Sequence, residues 1–260
     1  MEQTSVPETK ESPLSKFLHL EYGIIGRTAS TKSEPNRSSE FHFWVADKEE
    51  AIGRIEIGNI IAAYSDDEDD ITFGIVTEMR SYSDVDSFIA DFLSHNFGGA
   101  DVKVPTDVSE VIVVTCAVMR NVSSKTKPVS RSRVYFPSEL GIKFSYGIVD
   151  EQGEYIFKGA PIPIGIFTNG DGTISSISVD EDFLIGPEGA HLNVSGISGL
   201  ASKTSAILFT LKSLLTHTNK NIAVVMFNVK SKDLLYIDRV NSDLNADNDL
   251  EPISKPAFWI

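Results

Sequence analysis

The chain has 260 residues, room for one large domain or two small ones. Its balance of 41% hydrophobic and 23% charged residues is globular, which excludes a disordered or fibrous chain. With 23 Lys plus Arg against 37 Asp plus Glu, the net charge is −14; this excludes a protein that wraps nucleic acid over its whole surface and leaves room only for a local basic channel.

The opening Met1-Glu2-Gln3-Thr4-Ser5 is polar and acidic, without the basic start and apolar stretch of a signal peptide. No apolar run approaches the ~18 residues of a membrane span. The expectation is a soluble cytoplasmic protein with no membrane contact, in which the sequons at Asn36, Asn121 and Asn193 carry no weight. The single cysteine, Cys116, excludes an internal disulfide and reads as a small buried hydrophobe in the apolar run 111–119.

Residues 1–12 read as a disordered polar tail, and 28–40 as a loop without apolar periodicity. Short β-like runs follow. Phe41-His42-Phe43-Trp44-Val45 is aromatic and β-branched, Ile52-Gly53-Arg54-Ile55-Glu56-Ile57 alternates like a half-buried strand, and 59–64 and 71–77 are two further strands. Between the last two, Ser65-Asp66-Asp67-Glu68-Asp69-Asp70 reads as a solvated hairpin loop, because its spacing fails an EF-hand and it has no glycine for the sharp turn. Ser83-Asp84-Val85-Asp86 opens a helix near 84–95, with Val85, Phe88, Ile89, Phe92 and Leu93 on one apolar face and Phe97-Gly98-Gly99 as the stop. His95 suits the end of that helix and has no partner motif.

A long strand is expected over 108–119, with shorter ones over 134–136, 143–148 and 155–157. Asp150-Glu151-Gln152-Gly153 and Asn169-Gly170-Asp171-Gly172 read as tight turns, the second favouring positive φ. Pro161 and Pro163 belong to an edge or an extended connector. Many short strands at regular spacing make 13–180 a β-rich domain of barrel or sandwich type.

Near Phe183 the pattern changes. Ala190-His191-Leu192-Asn193-Val194-Ser195 reads as a strand. A helix over 203–217 repeats Ile207, Leu208, Leu211, Leu214 and Leu215, and Ile222-Ala223-Val224-Val225-Met226-Phe227 reads as a buried parallel strand. Strand, turn, helix, strand is a βαβ unit. The fold class expected is α+β: a β-barrel-like N-terminal domain, then over 181–260 the beginning of an α/β domain.

The turn in that unit is Gly196-Ile197-Ser198-Gly199-Leu200-Ala201-Ser202-Lys203-Thr204. A phosphate-binding loop needs converging backbone N–H groups, a helix N-terminus aimed at the anion, and Lys followed by Ser or Thr for the β and γ phosphates and Mg²⁺. The context is right, but the spelling departs from the usual pattern. Ser202 stands where Gly usually precedes the Lys, the first Gly of the pattern would fall on Ile197, and Gly196 and Gly199 each come one place early. Two readings stay open. One is a nucleotide loop made by Gly196, Ser198, Gly199, Leu200, Ala201, Ser202, Lys203, Thr204 and Ser205, with Thr204 on the metal. The other is a glycine-rich turn whose Ser and Thr merely cap the helix. Residues 1–180 hold 28 Asp plus Glu against 16 Lys plus Arg, so the acidity lies mostly in the β-rich part, away from this turn.

These residues resemble the HerA-type ATPases of the HerA/FtsK superfamily, ring-forming DNA translocases. Ile52-Gly53-Arg54-Ile55, Ile57-Gly58-Asn59-Ile60 and Phe73-Gly74-Ile75-Val76 look like the family's small N-terminal barrel, with Asn59 in place of a common Asp. The stretch from Pro161-Ile162-Pro163-Ile164-Gly165 to Leu184-Ile185-Gly186 looks like its connector, and Gly189-Ala190-His191-Leu192-Asn193-Val194-Ser195-Gly196 like the first strand of a P-loop, RecA-like core. The resemblance implies ATP and Mg²⁺ as cofactors, with Lys203 on the β and γ phosphates, Thr204 on Mg²⁺ and 198–202 supplying N–H groups. It also implies a homo-oligomeric ring, a hexamer, with duplex DNA and a nuclease as partners. The family's acidic strand and arginine finger come later than this sequence reaches, since Ile260 is 56 residues past Thr204. Leu234-Leu235-Tyr236-Ile237-Asp238 ends in an acid, but Arg239 stands where a glutamate is needed, so Asp238 is not taken as a metal ligand and the catalytic residues stay unassigned. The sequence is therefore read as the N-terminal part of such a translocase, with hydrolysis not expected of it alone. The alternative is a noncatalytic assembly or partner-binding module with a degenerate loop. A hydrolase unrelated to nucleotides finds no G-x-S-x-G, H-E-x-x-H or paired-Cys motif.

Overall fold

The computed structural model describes residues 13–46, 53–83, 88–94, 110–186, 191–196 and 202–227. They belong to two units, one comprising the chain up to 156 together with 166–177, the other 157–165 together with 178 onward.

The first unit is a closed barrel of six antiparallel strands: β1 (Gly26–Ala29), β2 (Glu40–Val45), β3 (Ile60–Ser65), β4 (Asp70–Ser83), β5 (Glu110–Asn121) and β6 (Arg133–Tyr135). Around the ring the order is β1-β2-β5-β4-β3-β6, and β6 returns to β1 through Gly26 opposite Val134 and Arg27 opposite Arg133. The protein is thus α+β with a six-stranded barrel, as the strand spacing suggested.

Alternation explains the barrel's filling. Phe41, Phe43 and Val45 of β2 are buried in the core, while Trp44 between them is 41% exposed. Ile61 and Ala63, Val76, Val114 and Cys116, and Val134 meet them from the other strands. Cys116 is the buried hydrophobe expected, and burial pushes its thiol far above the usual range. The β4–β5 ladder shifts register at Phe73/Gly74 and again at Val76/Glu78. The first bulge matters for packing: a methyl group on Gly74 would lie 2.6 Å from Phe41 Cε1, so only glycine admits that ring.

Several elements differ from the sequence expectation. Residues 143–148 are not a strand. After a first helix, α1 (Phe88–Ser94), Ser138 caps a second, α2 (Glu139–Ser145), by accepting from Gly141 N–H at 3.2 Å, and Lys143 pairs with Glu139 one turn back. Helix α2 stacks Phe144 against Phe17 of the preceding 3₁₀ turn (Pro13–Phe17) and against Phe73, at 5.1 and 5.7 Å between rings. Arg120 donates to the carbonyls of Phe144 and Val149 and lies 4.1 Å over the Phe144 ring.

Residues 53–57 form turns, not the strand expected over 52–57. Asn59 Oδ1 takes the Glu56 N–H at 2.8 Å and Gly58 sits at φ +92°, so local bonds displace the ladder; residue 52 lies outside the described residues. Of 155–157, only Tyr155 makes a bridge, to Val149. The helix expected near 84–95 is described over α1 (Phe88–Ser94), but the described side chains of its apolar face meet no core: Phe88 is 97% exposed, and Ile89 and Phe92 are exposed too. Ser83 ends β4, while Val85, His95 and Phe97-Gly98-Gly99 lie outside the described residues, as does the tail 1–12.

After α2, β7 (Pro161–Thr168) and β8 (Ile174–Asp180) pair as a two-stranded sheet, an edge setting that accommodates Pro161 and Pro163. The Asn169-Gly170-Asp171-Gly172 turn joins them with Gly172 at φ +87°, as expected. Its side chains anchor it within the first unit. Asn169 accepts from Ile60 N–H and donates to Ile60 C=O, both at 3.0 Å, and buried Asp171 binds His19 Nδ1 at 2.5 Å and Thr173 Oγ1 at 2.6 Å.

The second unit contains α3 (Glu181–Ile185) and α4 (Ser202–His217), the latter matching the helix expected over 203–217. The flanking strands of the expected βαβ unit are not formed: 191–196 and 222–227 carry no strand, and Leu192, Val225 and Phe227 are exposed. The continuous apolar run at 222–227 and the strand–turn–helix–strand order placed them in a sheet; no strand among the described residues pairs with either. No helix among the described residues is long and apolar enough to cross a membrane.

Phe73→Ala should cost about 3–5 kcal/mol, because the ring is buried against both Phe17 and Phe144. Phe88→Ala should change stability by less than about 0.5 kcal/mol. Urea midpoints of the two variants check the contrast.

Candidate functional site

The sequence-predicted turn is described at its two ends. Gly196 closes an exposed coil segment, and Ser202 opens α4. Ile197, Ser198, Gly199, Leu200 and Ala201 lie outside the described residues. Lys203 and Thr204 are half-buried in the helix's first turn, and Ser205 is exposed. Lys203 Nζ donates to Gly196 C=O at 2.8 Å, which brings the two ends of the turn together across seven positions. No acid lies in the first turn of α4, so no side chain there neutralises the positive end of the helix. The described end of the turn thus combines the Lys203 ammonium and the Thr204 hydroxyl with a first helical turn that carries no acid. That donor set suits a polyphosphate, and the Thr204 hydroxyl suits a hard cation such as Mg²⁺.

The other end of α4 is tied down by carboxylates that the sequence reading did not single out. Ser213 Oγ donates to Pro163 C=O at 2.5 Å, and Leu214 is buried one residue on. Just past the helix, Thr218 Oγ1 donates to buried Glu181, and Lys220 pairs with Asp182 at 2.8 Å and with Glu181 at 3.5 Å. Asp180 caps α3, accepting from the N–H groups of Asp182, Lys158 and Gly159 at 2.9–3.0 Å. The Thr218 hydroxyl is the main influence holding the Glu181 carboxyl below its ordinary range, with Ala160 N–H and Lys220 acting with it against burial. For Asp180, burial is the largest influence and pushes upward, but the three N–H donors together outweigh it and leave the carboxyl low. The run Val179-Asp180-Glu181-Asp182 ahead of Phe183 is a helix-start signature and was the signal available for this clamp.

In the first unit, a cleft of about 410 Å³ is lined by Arg54, Glu56, Asn59, Asn169 and neighbouring glycines. Its two asparagines are spent on the backbone of Glu56 and Ile60, which makes them structural. Among the described residues, no group of three or more His, Cys, Asp or Glu side chains is placed to hold a metal ion. Asp238 and the rest of 228–260 lie outside the described residues. In comparisons with protein-family models and with curated proteins, no match to the chain was found.

Both clamp carboxyls sit lower folded than unfolded. Their stabilisation is therefore full above the unfolded values, about pH 4, and is lost as pH falls through the folded ones. Glu181→Gln should cost about 1–3 kcal/mol at neutral pH and flatten that acid dependence. Hydrogen exchange in the last turn of α4, followed from pH 7 to pH 3, reads both effects.

Proposed function

We propose that the chain is an ATP-binding protein of the HerA type, in which the turn at 196–205 receives the phosphates of Mg-ATP. The observation that carries this reading is the Lys203–Gly196 contact at the acid-free N-terminus of α4, in a chain where a closed six-stranded barrel comes first. In this reading Lys203 leaves Gly196 C=O for the β and γ phosphates, Thr204 holds Mg²⁺, and Ser202 and Ser205 border the anion. Bound ATP supplies the phosphoanhydride; the chain's own part is to gather and orient it. By the same resemblance the protein is a cytoplasmic homo-oligomeric ring that works on duplex DNA with a nuclease partner. Binding, not turnover, is the appropriate test, because the groups that orient water and neutralise the transition state are not assigned.

Calorimetric titration of ATP, with and without Mg²⁺, into the unmutated chain, Lys203→Ala and Thr204→Ala provides it. Lys203→Ala should lose about 1.5–3 kcal/mol, roughly 10- to 150-fold in affinity, with little change in folding. Thr204→Ala should weaken Mg-ATP more than metal-free ATP. If the folded, unmutated chain binds no ATP at millimolar concentration, the nucleotide reading fails and a noncatalytic assembly module takes its place.

A further inference from the structure

The Asn169-Gly170-Asp171-Gly172 turn is tightly specified at its first two positions. A methyl group on Gly170 would overlap the Arg54 carbonyl oxygen and the Asn59 side-chain oxygen, so packing requires glycine there. Asn169 accepts from the N–H of Ile60 and donates to the C=O of the same residue, both at 3.0 Å, which takes a side chain with an oxygen and an NH₂ on one planar carbon. Packing and hydrogen bonding thus put glycine directly after asparagine. Of the chain's asparagines, Asn169 alone precedes a glycine. In that dipeptide no side chain shields the following backbone nitrogen, which can attack the asparagine's own amide carbon.

The closed turn suppresses that attack. Asn169 is 3% exposed, which shields its amide from the base and water the reaction consumes. Its Oδ1 and Nδ2 are held flat against the Ile60 peptide, whereas attack makes Cγ tetrahedral and moves both atoms out of that plane. The turn is also held shut from its far side: buried Asp171 meets His19 Nδ1 at 2.5 Å, Thr173 Oγ1 at 2.6 Å and the Thr173 N–H at 3.1 Å. The nucleophile itself is not restrained, since among the described residues the Gly170 N–H makes no hydrogen bond. Only the amide carbon is locked, so the reaction waits on local opening of the turn.

We propose that Asn169-Gly170 is a self-modification site, a deamidation gated by the opening of this turn, which its ties to Ile60 and His19 keep closed. Gly170 N gives up its proton to base and bonds to Asn169 Cγ. The Cγ–Nδ2 bond breaks, and Nδ2 takes up a proton and leaves as ammonia. The product is a five-membered imide. Water then adds to one of its two carbonyl carbons and that carbon's bond to nitrogen breaks, the proton going to nitrogen. Attack at Cγ leaves aspartate, and attack at the main-chain carbon leaves isoaspartate. Nothing is oxidised or reduced, and water is the only co-reactant. Neither product can donate to the Ile60 carbonyl, and a carboxylate would face that carbonyl at a buried position, so a modified turn does not reclose. The chain thereby records its own opening, independently of nucleotide binding.

The test is incubation of the full chain at mildly alkaline pH, natively and in urea, followed by peptide mapping with electron-transfer fragmentation, which separates aspartate from isoaspartate. Modification at Asn169 should run about tenfold or more slower in the native chain than in urea. His19→Ala, which takes a partner from Asp171, should raise the native rate about tenfold. If that variant does not fold, Thr173→Val, which removes another Asp171 partner, takes its place. Asn169→Asp, which installs one product, should speed amide hydrogen exchange over 169–173 about tenfold or more. The proposal is overturned if Asn169 reacts as fast natively as in urea, or if it stays an amide in urea. It is equally overturned if the folded Asp171-partner variant reacts at the unmutated rate, or if Asn169→Asp leaves exchange over 169–173 unchanged. No arm contains ATP, so its failure leaves the nucleotide reading standing, and a chain that binds no ATP leaves this result interpretable.

Discussion

Two residue pairs close the barrel: Gly26 opposite Val134 and Arg27 opposite Arg133. They join the two shortest strands, β1 and β6, and without them a sheet of unpaired edges would remain. The closure tolerates no side chain at Gly26, where a methyl group would lie 2.2 Å from the Trp44 carbonyl oxygen. Because β6 pairs with β1 on one side and β3 on the other, the same strand holds the basic 122–132 loop ahead of it and helix α2 behind it. The aromatic cluster of Phe17, Phe73 and Phe144 then packs α2 onto the wall.

The second unit relies on polar bonds where the first relies on apolar filling. Helix α4 is fastened at its C-terminal end by Ser213, Thr218 and Lys220 and left with an acid-free N-terminus. The Lys220 ammonium also lies at the end where the helix dipole favours a positive charge. Clamp and turn are thus two ends of one element.

The barrel strands were legible because their residues obey one rule, in against out. Phe41, Phe43 and Val45 alternate with exposed Trp44, and the acid run at 66–69 can only be a solvated turn. The same rule misled at 143–148, where alternating apolar residues belong to a helix that Ser138 caps and the Phe17–Phe73 pair receives. It misled at 52–57, where the Asn59 side chain captures a backbone N–H before a ladder can form. A different signal, apolar runs in a strand–turn–helix–strand order, misled at 191–195 and 222–227, which carry no strand. At the candidate site, the helix start and Lys203 were legible from spacing. The clamp was not, because Glu181 and Thr218 are 37 positions apart and meet only through the fold. The ion pairs between 66–69 and 122–133, Lys127 with Glu68 and Arg133 with Asp66, stayed hidden for the same reason: the two segments are distant in sequence, and barrel register brings them together.

The proposed receipt of Mg-ATP phosphates at the start of α4, in a chain that also forms a closed barrel, is tested most directly by hydrogen exchange followed by mass spectrometry with and without Mg-ATP. Slowed exchange is expected in peptides covering 196–210, with unchanged exchange in the barrel strands. No change at 196–210 in a folded chain saturated with Mg-ATP, or protection confined to the barrel, would contradict it.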